Sequence, residues 1–324
     1  MTGASATSCC GTSLTRNSTS PLTTGPTSAC TNWVWRSRTS TRARGVSDTA
    51  EPSPQGGAPL LRQRIVTAVV LAAVVVGGVV FLPVGAFALF VLALAVPGLY
   101  EWATLSGFQS VVSRVAYTLA GAGLLALVWA APAAWPIVLA ASALFWVLAA
   151  AFVVSFPSGR AIASGRAWLA VSGAPVFAGA WLGLVVLKQH DFGHWFILWM
   201  FVLVWAADSG AYFAGRAFGR RRLAPRVSPG KTWEGAFGGT AVAVVAAGAM
   251  AWGLGWQPLS GWVILALGLA VVAIVGDLFE SAVKRARDVK DSGGLLPGHG
   301  GVLDRIDSTV AVAPVLAVCL PLLL

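Results

Sequence analysis

From position 65 to the C-terminus, apolar residues run in long blocks separated by short connections that carry glycine, proline or charge. A helix needs about 20 apolar residues to cross the hydrocarbon core of a bilayer. By that measure the pattern predicts about nine spans, at 65–82, 84–100, 116–133, 135–155, 168–187, 195–214, 236–256, 260–278 and 307–324. Pro83 alone separates the first two, which therefore read as a tight hairpin. The fold class this predicts is all-α, a polytopic membrane bundle.

Composition agrees. Of the 324 residues, 57% are hydrophobic and 10% are charged, where an average soluble domain carries about 25% charged residues. That excludes a soluble enzyme, a disulfide scaffold and a disordered protein. Cys9, Cys10, Cys30 and Cys319 form no CxxC pair and have no histidine cluster beside them, so they imply neither zinc nor a disulfide framework.

Residues 1–62 differ from the rest. They are rich in Ser, Thr, Gly, Pro and Arg, lack periodicity, and predict a disordered tail. Six arginines (Arg16, Arg36, Arg38, Arg42, Arg44, Arg62) against Asp48 and Glu51 give it a net charge of +4, suited to anionic headgroups. An idle extension or a start-site artefact is the alternative. No short apolar core with a small-residue cleavage site precedes residue 60, so it does not read as a signal peptide.

Basic residues set the orientation. With the N-terminus inside, the inner connections hold Arg114, Arg160, Arg166, Arg216, Arg220, Arg221, Arg222, Arg226, Lys231, Lys284, Arg285, Arg287, Lys290 and Arg305, and the outer ones hold Lys188. Fourteen against one is a strong positive-inside bias, and it makes the cytoplasmic face the place where a soluble anion would be handled.

Eight of the twelve acids fall between 208 and 307: Asp208, Glu234, Asp277, Glu280, Asp288, Asp291, Asp304 and Asp307. Acids at a membrane span are costly and mark an ion path, a metal site or a buried pair. Here they alternate with bases and glycine, a mixture that suggests phosphate and metal. Continued as a helix beyond the eighth span, 277–291 would place Asp277, Glu280, Ser281, Lys284, Asp288 and Asp291 on one arc. An amphipathic surface helix with Glu280–Lys284 and Arg287–Asp291 pairs has the same pattern. The next segment, SGGLLPGHGG at 292–301, has five glycines, which let backbone N–H groups approach an anion closely. His299 between Gly298 and Gly300 is poorly placed for a packed core. LDRID at 303–307 then sets Asp304, Arg305 and Asp307 at the mouth of the ninth span, where carboxylates can hold a divalent cation and arginine a phosphate.

The 27-residue run from Ser281 through Lys284, Arg285, Lys290, Asp291, Pro297, His299, Gly300, Gly301, Asp304 and Arg305 to Asp307 resembles the signature of the phosphatidate cytidylyltransferases, or CDP-diacylglycerol synthases. ADSGAYFAGRAFGRR at 207–221, SPGKTWEG at 228–235 and VGDLFES at 275–281 also resemble that family, and the likeness covers about 63–324. SPGKTWEG imitates the end of a P-loop, but the first glycine of that motif would fall on Pro225 and no strand is expected before it. It reads instead as a cytoplasmic loop. The spacings Gly215–Gly219 and Gly235–Gly239 read as loop and helix-packing features.

The resemblance implies that CTP and phosphatidate give CDP-diacylglycerol and pyrophosphate. It implies magnesium on Asp277, Asp304 and Asp307, and leaves a second cation open. Lys284, Arg285, Lys290, Asp291, His299 and Arg305 would serve the triphosphate and the lipid phosphate, and Asp208, Ser228, Lys231, Thr232, Glu234, Ser281, Gly300 and Gly301 would bind substrate. The expected partners are CTP, phosphatidate and membrane lipid, with no nucleic acid, and the likeness suggests a homodimer in the cytoplasmic membrane. The competing readings are a secondary transporter and another CTP-dependent lipid enzyme. A transporter should show broken helices in both halves. A CDP-alcohol phosphotransferase would need DxxDG…AR…GxxxDxxxD, which is absent.

Overall fold

The computed structural model describes residues 57–156, 165–294 and 300–324. Among the described residues, nine α-helices make up the bundle: α1 (Gly57–Phe81), α2 (Val84–Leu105), α3 (Val111–Ala130), α4 (Trp135–Ser155), α5 (Arg166–Gln189), α6 (Gly193–Phe218), α7 (Trp233–Gly253), α8 (Leu259–Ala286) and α9 (Leu303–Cys319). Among the described residues, eight helices are long and apolar enough to cross a membrane, from α2 through α9 with its terminal turn. The ninth expected span is the helix α1, whose described apolar stretch is Val69–Phe81. The chain is an all-α polytopic membrane protein. The tail expected to reach residue 62 gives way to helix at Gly57, and 1–56 lie outside the described residues.

α9 sits at the centre, packed on α2, α4, α5, α6 and α8. Its run Val310–Pro314 is fully buried, as a helix surrounded by helices must be. Lipid gives little hydrophobic drive between helices, so close approach through small residues matters more. A Cβ on Gly183 of α5 would meet the Ala313 backbone of α9 at 2.7 Å, and one on Gly276 of α8 would meet Asp307 O at 2.6 Å. The α6–α7 pair uses the same device. Gly235 and Gly239 lie against Ala211 and Ala207, so the Gly235–Gly239 spacing is a packing feature.

The two ends of the bundle differ chemically. Phe196, Trp199, Trp256 and Trp262 cluster at one end, with Trp256 and Trp262 centroids 4.3 Å apart. Most of the acids and bases lie at the other, Lys188 and Asp191 being exceptions. There Arg287 donates to Leu105 O and Ser106 O at 2.7 and 2.8 Å, Arg166 to Gly107 O at 2.6 Å and Arg114 to Phe108 O at 2.8 Å. The arginines of three expected inner connections therefore meet on one turn, while Lys188 bonds Val79 O at the far end.

A structure the sequence did not predict sits at the charged end. β1 (Arg222–Ala224) and β2 (Ser228–Thr232) form a short antiparallel hairpin. A strand does precede the P-loop look-alike, but Gly230, Lys231 and Thr232 lie within β2 itself, so they do not form the phosphate-cradling turn between a strand and a helix.

Candidate active site

At 28 residues, α8 is about 42 Å long, more than the roughly 30 Å of hydrocarbon. Its last turns therefore carry Asp277, Glu280, Ser281, Lys284 and Arg285 to the bilayer edge. The helix does not continue to Asp291. Asp288 takes a left-handed conformation (φ 55), and Asp288 and Val289 donate their N–H groups back to Arg285 O and Lys284 O. That is a Schellman stop with aspartate, one of the few side chains that tolerates the geometry, in the place glycine usually takes. Asp288 and Asp291 thus leave the expected arc. Glu280–Lys284 forms, at 3.0 Å. The Arg287–Asp291 pair is not what holds Arg287, whose guanidinium binds the α2 carbonyls.

The acids sort into two groups. In the first, Lys231 of β2 pairs with Asp277, and Asp208 of α6 and Asp307 of α9 lie within electrostatic reach of both. Ser281 Oγ faces Asp277 Oδ1 at 3.5 Å. Asp208, Lys231 and Asp277 line a cavity of about 470 Å³ between α6, α7, α8 and the hairpin, whose remaining wall includes Ala207, Ala211, Ala236 and Ile274. Its lining combines apolar wall with two acids and two bases, Arg216 joining Asp208, Lys231 and Asp277. In the second group, Lys284 bridges Glu280 at 3.0 Å and Asp304 at 2.5 Å, with all three side chains nearly buried. Asp304 Oδ2 also accepts the Ser292 and Gly301 N–H groups at 3.2 and 3.0 Å. Asp277 and Asp304, expected to share one ion, thus turn to different partners.

Several expected substrate contacts have structural duties here. Thr232 is buried and caps α7, accepting the Gly235 N–H at 3.1 Å. Glu234 accepts the N–H groups of Arg220 and Arg221, fixing the entry to the hairpin. Arg285 donates to Val227 O and Val289 O, tying the hairpin turn to the end of α8. Gly300 has positive φ (81), which favours glycine, and Gly301 packs against Glu101 and Ser292. Ser228 starts β2, and Lys290, Asp291 and Arg305 are exposed on the charged face. His299 lies outside the described residues.

The sequence reading missed Glu101. Its span ended at residue 100, which put Glu101 in a connection, whereas α2 runs on to Leu105. Glu101 is 4% exposed and accepts hydrogen bonds from Ser292 Oγ, Val302 N and Leu303 N, each at 2.9 Å. A lone acid near the end of an apolar segment was the available signal.

Comparison with known proteins fits this geometry. The cytidylyltransferase family matches residues 62–323. The chain belongs to that family. A phosphatidate cytidylyltransferase of Pseudomonas aeruginosa is 44% identical over 264 residues, covering 81% of this chain and 97% of the relative. One of Haemophilus influenzae is 36% identical over 279 residues, covering 79% and 96%. One of Bacillus subtilis is 45% identical over 134 residues, covering 40% and 49%. The match takes in every cytidylyltransferase motif quoted from the sequence, and it starts after most of the basic tail.

A divalent cation fits the first group. Hard carboxylate oxygens are the donors magnesium prefers, and the Lys231 ammonium already marks a point that draws positive charge. Glu280 Oε2, on the carboxylate that pairs with Lys284, is buried without a hydrogen-bond partner among the described residues, and Asp307 lies within its electrostatic reach. Among the described residues no three His, Cys, Asp or Glu side chains close around one point. That suits magnesium, which usually takes one or two carboxylates and completes its shell with water and substrate phosphate.

Proposed function

We propose that the chain transfers the cytidylyl group of CTP to phosphatidate, giving CDP-diacylglycerol and pyrophosphate. The observation that carries this reading is the largely apolar cavity lined by Asp208, Arg216, Lys231 and Asp277, with the Lys284–Asp304 pair further along α8 and α9. A substrate with acyl chains and a phosphate headgroup matches a cavity that combines apolar wall with charged side chains. The phosphate of phosphatidate is itself a nucleophile, so no activated serine or cysteine is needed.

Catalysis is then mainly positioning and charge neutralisation around the α-phosphorus, with in-line departure of pyrophosphate. Asp277 and Asp307 would hold magnesium, which neutralises phosphate charge when bound, and Asp208 adds negative charge nearby. Lys231 holds the lipid phosphate in the cavity. Lys284, kept charged and oriented by Glu280 and Asp304, faces the triphosphate together with exposed Lys290 and Arg305. Purified protein supplied with CTP, phosphatidate and magnesium should form a CDP-lipid and should not accept ATP in place of CTP. No product, or equal use of ATP, overturns the reading.

The same proposal sets the charged end in the cytoplasm of a cell whose cytoplasmic membrane holds the protein, because CTP is cytosolic. In a chain stripped of its own cysteines, Arg226→Cys and Val289→Cys should resist an impermeant thiol reagent added outside intact cells, and Phe192→Cys should react. The reverse pattern contradicts the orientation.

A further inference from the structure

We infer that Glu101 is a positioning residue that holds both stems of the glycine-rich segment against α2, and through them sets Lys284 and Asp304. The proposal rests on the function proposed above and extends it to a helix remote from the signature.

The case begins with α9. Its N-cap residue, Val302, already has helical φ and ψ and offers no side-chain cap, yet the first N–H groups of a helix need acceptors. Glu101 supplies them from another helix. Oε1 accepts the Val302 N–H, and Oε2 accepts the Leu303 N–H and the Ser292 hydroxyl. A negative charge at this end also complements the helix dipole. One carboxylate therefore joins the residue that precedes the glycines to the two that follow them. Ser292 is 4% exposed and faces two ways, its Oγ donating to Glu101 and its N–H to Asp304. Asp304 in turn holds Lys284.

The anchor itself is rigid. Trp102, 1% exposed, donates to Leu169 O at 2.7 Å and stacks on Phe279, the neighbour of Glu280. Arg287 binds the carbonyls of Leu105 and Ser106, so the last turn of α2 is held to both ends of the segment 287–303. No wall of the 470 Å³ cavity includes Glu101. Its influence on substrate would pass through Lys284 and Asp304.

Glu101→Gln keeps the shape but sets an amide N–H against donors on one side. The test compares full-length wild type and Glu101→Gln by hydrogen exchange and by kinetics in each substrate. Exchange at Ser292–Gly294 and Gly300–Leu303 should accelerate while α5 to α7 stay protected. KM for CTP should rise by about ten- to a hundredfold, the span expected for lost hydrogen bonds to a charged group, with KM for phosphatidate little changed. Ser292→Ala, which leaves the two backbone contacts, should give a smaller effect and add little to Glu101→Gln. A lower kcat at unchanged KM for CTP would mean a partly unfolded population and would overturn the proposal, as would unchanged exchange at the two stems. The exchange arm needs no substrate, so a wild type inactive on CTP would defeat the proposed function and leave the clasp to be judged separately.

Discussion

Asp277→Asn should lower turnover by roughly a hundredfold or more, a loss of about 3–4 kcal/mol of transition-state stabilisation. Asparagine keeps the shape and can still accept from Ser281, but it removes the charge that pairs with Lys231 in the cavity lining. It also removes the central carboxylate of the group formed with Asp208 and Asp307. If Asp277 binds the cation as proposed, raised magnesium should restore part of the rate. Asp304→Asn makes the contrast. It too should slow the reaction, since its carboxylate orients Lys284 and binds the N–H groups of Ser292 and Gly301. Magnesium should not rescue it. Near-normal turnover of Asp277→Asn at limiting magnesium would remove the cation from this group of acids.

Lys284→Met should be the most destabilising single change at the charged end. It leaves Glu280 and Asp304 facing each other with only 4% and 10% of their side chains exposed, and Asp307 is a further like charge near Glu280. Breaking a buried pair by removing one partner costs about 3–5 kcal/mol. Thermal unfolding of purified protein should show a clear drop in midpoint, with activity lost as well. Adding Glu280→Gln should recover part of the stability by removing one uncompensated charge. Unchanged unfolding of Lys284→Met would show that the three groups are not held as a unit.

The helices were legible in the sequence because a bilayer demands long apolar runs, which few other structures need. The same rule misplaced boundaries wherever a helix outruns the hydrocarbon. α2 continues past residue 100 with Glu101 inside it, whereas α8 continues past 278 as expected but ends at Ala286, short of Asp291. The stop at Asp288 was hidden because aspartate is an uncommon residue for a left-handed cap. The β-hairpin was hidden because strands of three and five residues, one containing Pro229, are too short to show alternation. Candidate residues of the site were legible as a cluster, since charge so close to a membrane is costly. Their pairing was not. Whether Asp304 meets Asp277 or Lys284 depends on how α8 and α9 are rotated against each other, and small residues such as Gly276 decide that. Thr232 and Glu234 show a further role the pattern hides: polar residues in a motif can serve the backbone that presents it, and Thr232 does so while lining the cavity.

The measurement that bears most directly on the proposed reaction follows phosphorus from CTP. Purified protein is incubated with phosphatidate, magnesium and CTP labelled at either the α- or the γ-phosphorus. Cytidylyl transfer predicts that the α label enters the lipid together with cytidine, and that the γ label leaves in pyrophosphate in equal amount. Appearance of the γ label in the lipid, with CDP released, would make the protein a CTP-dependent lipid kinase and contradict the account.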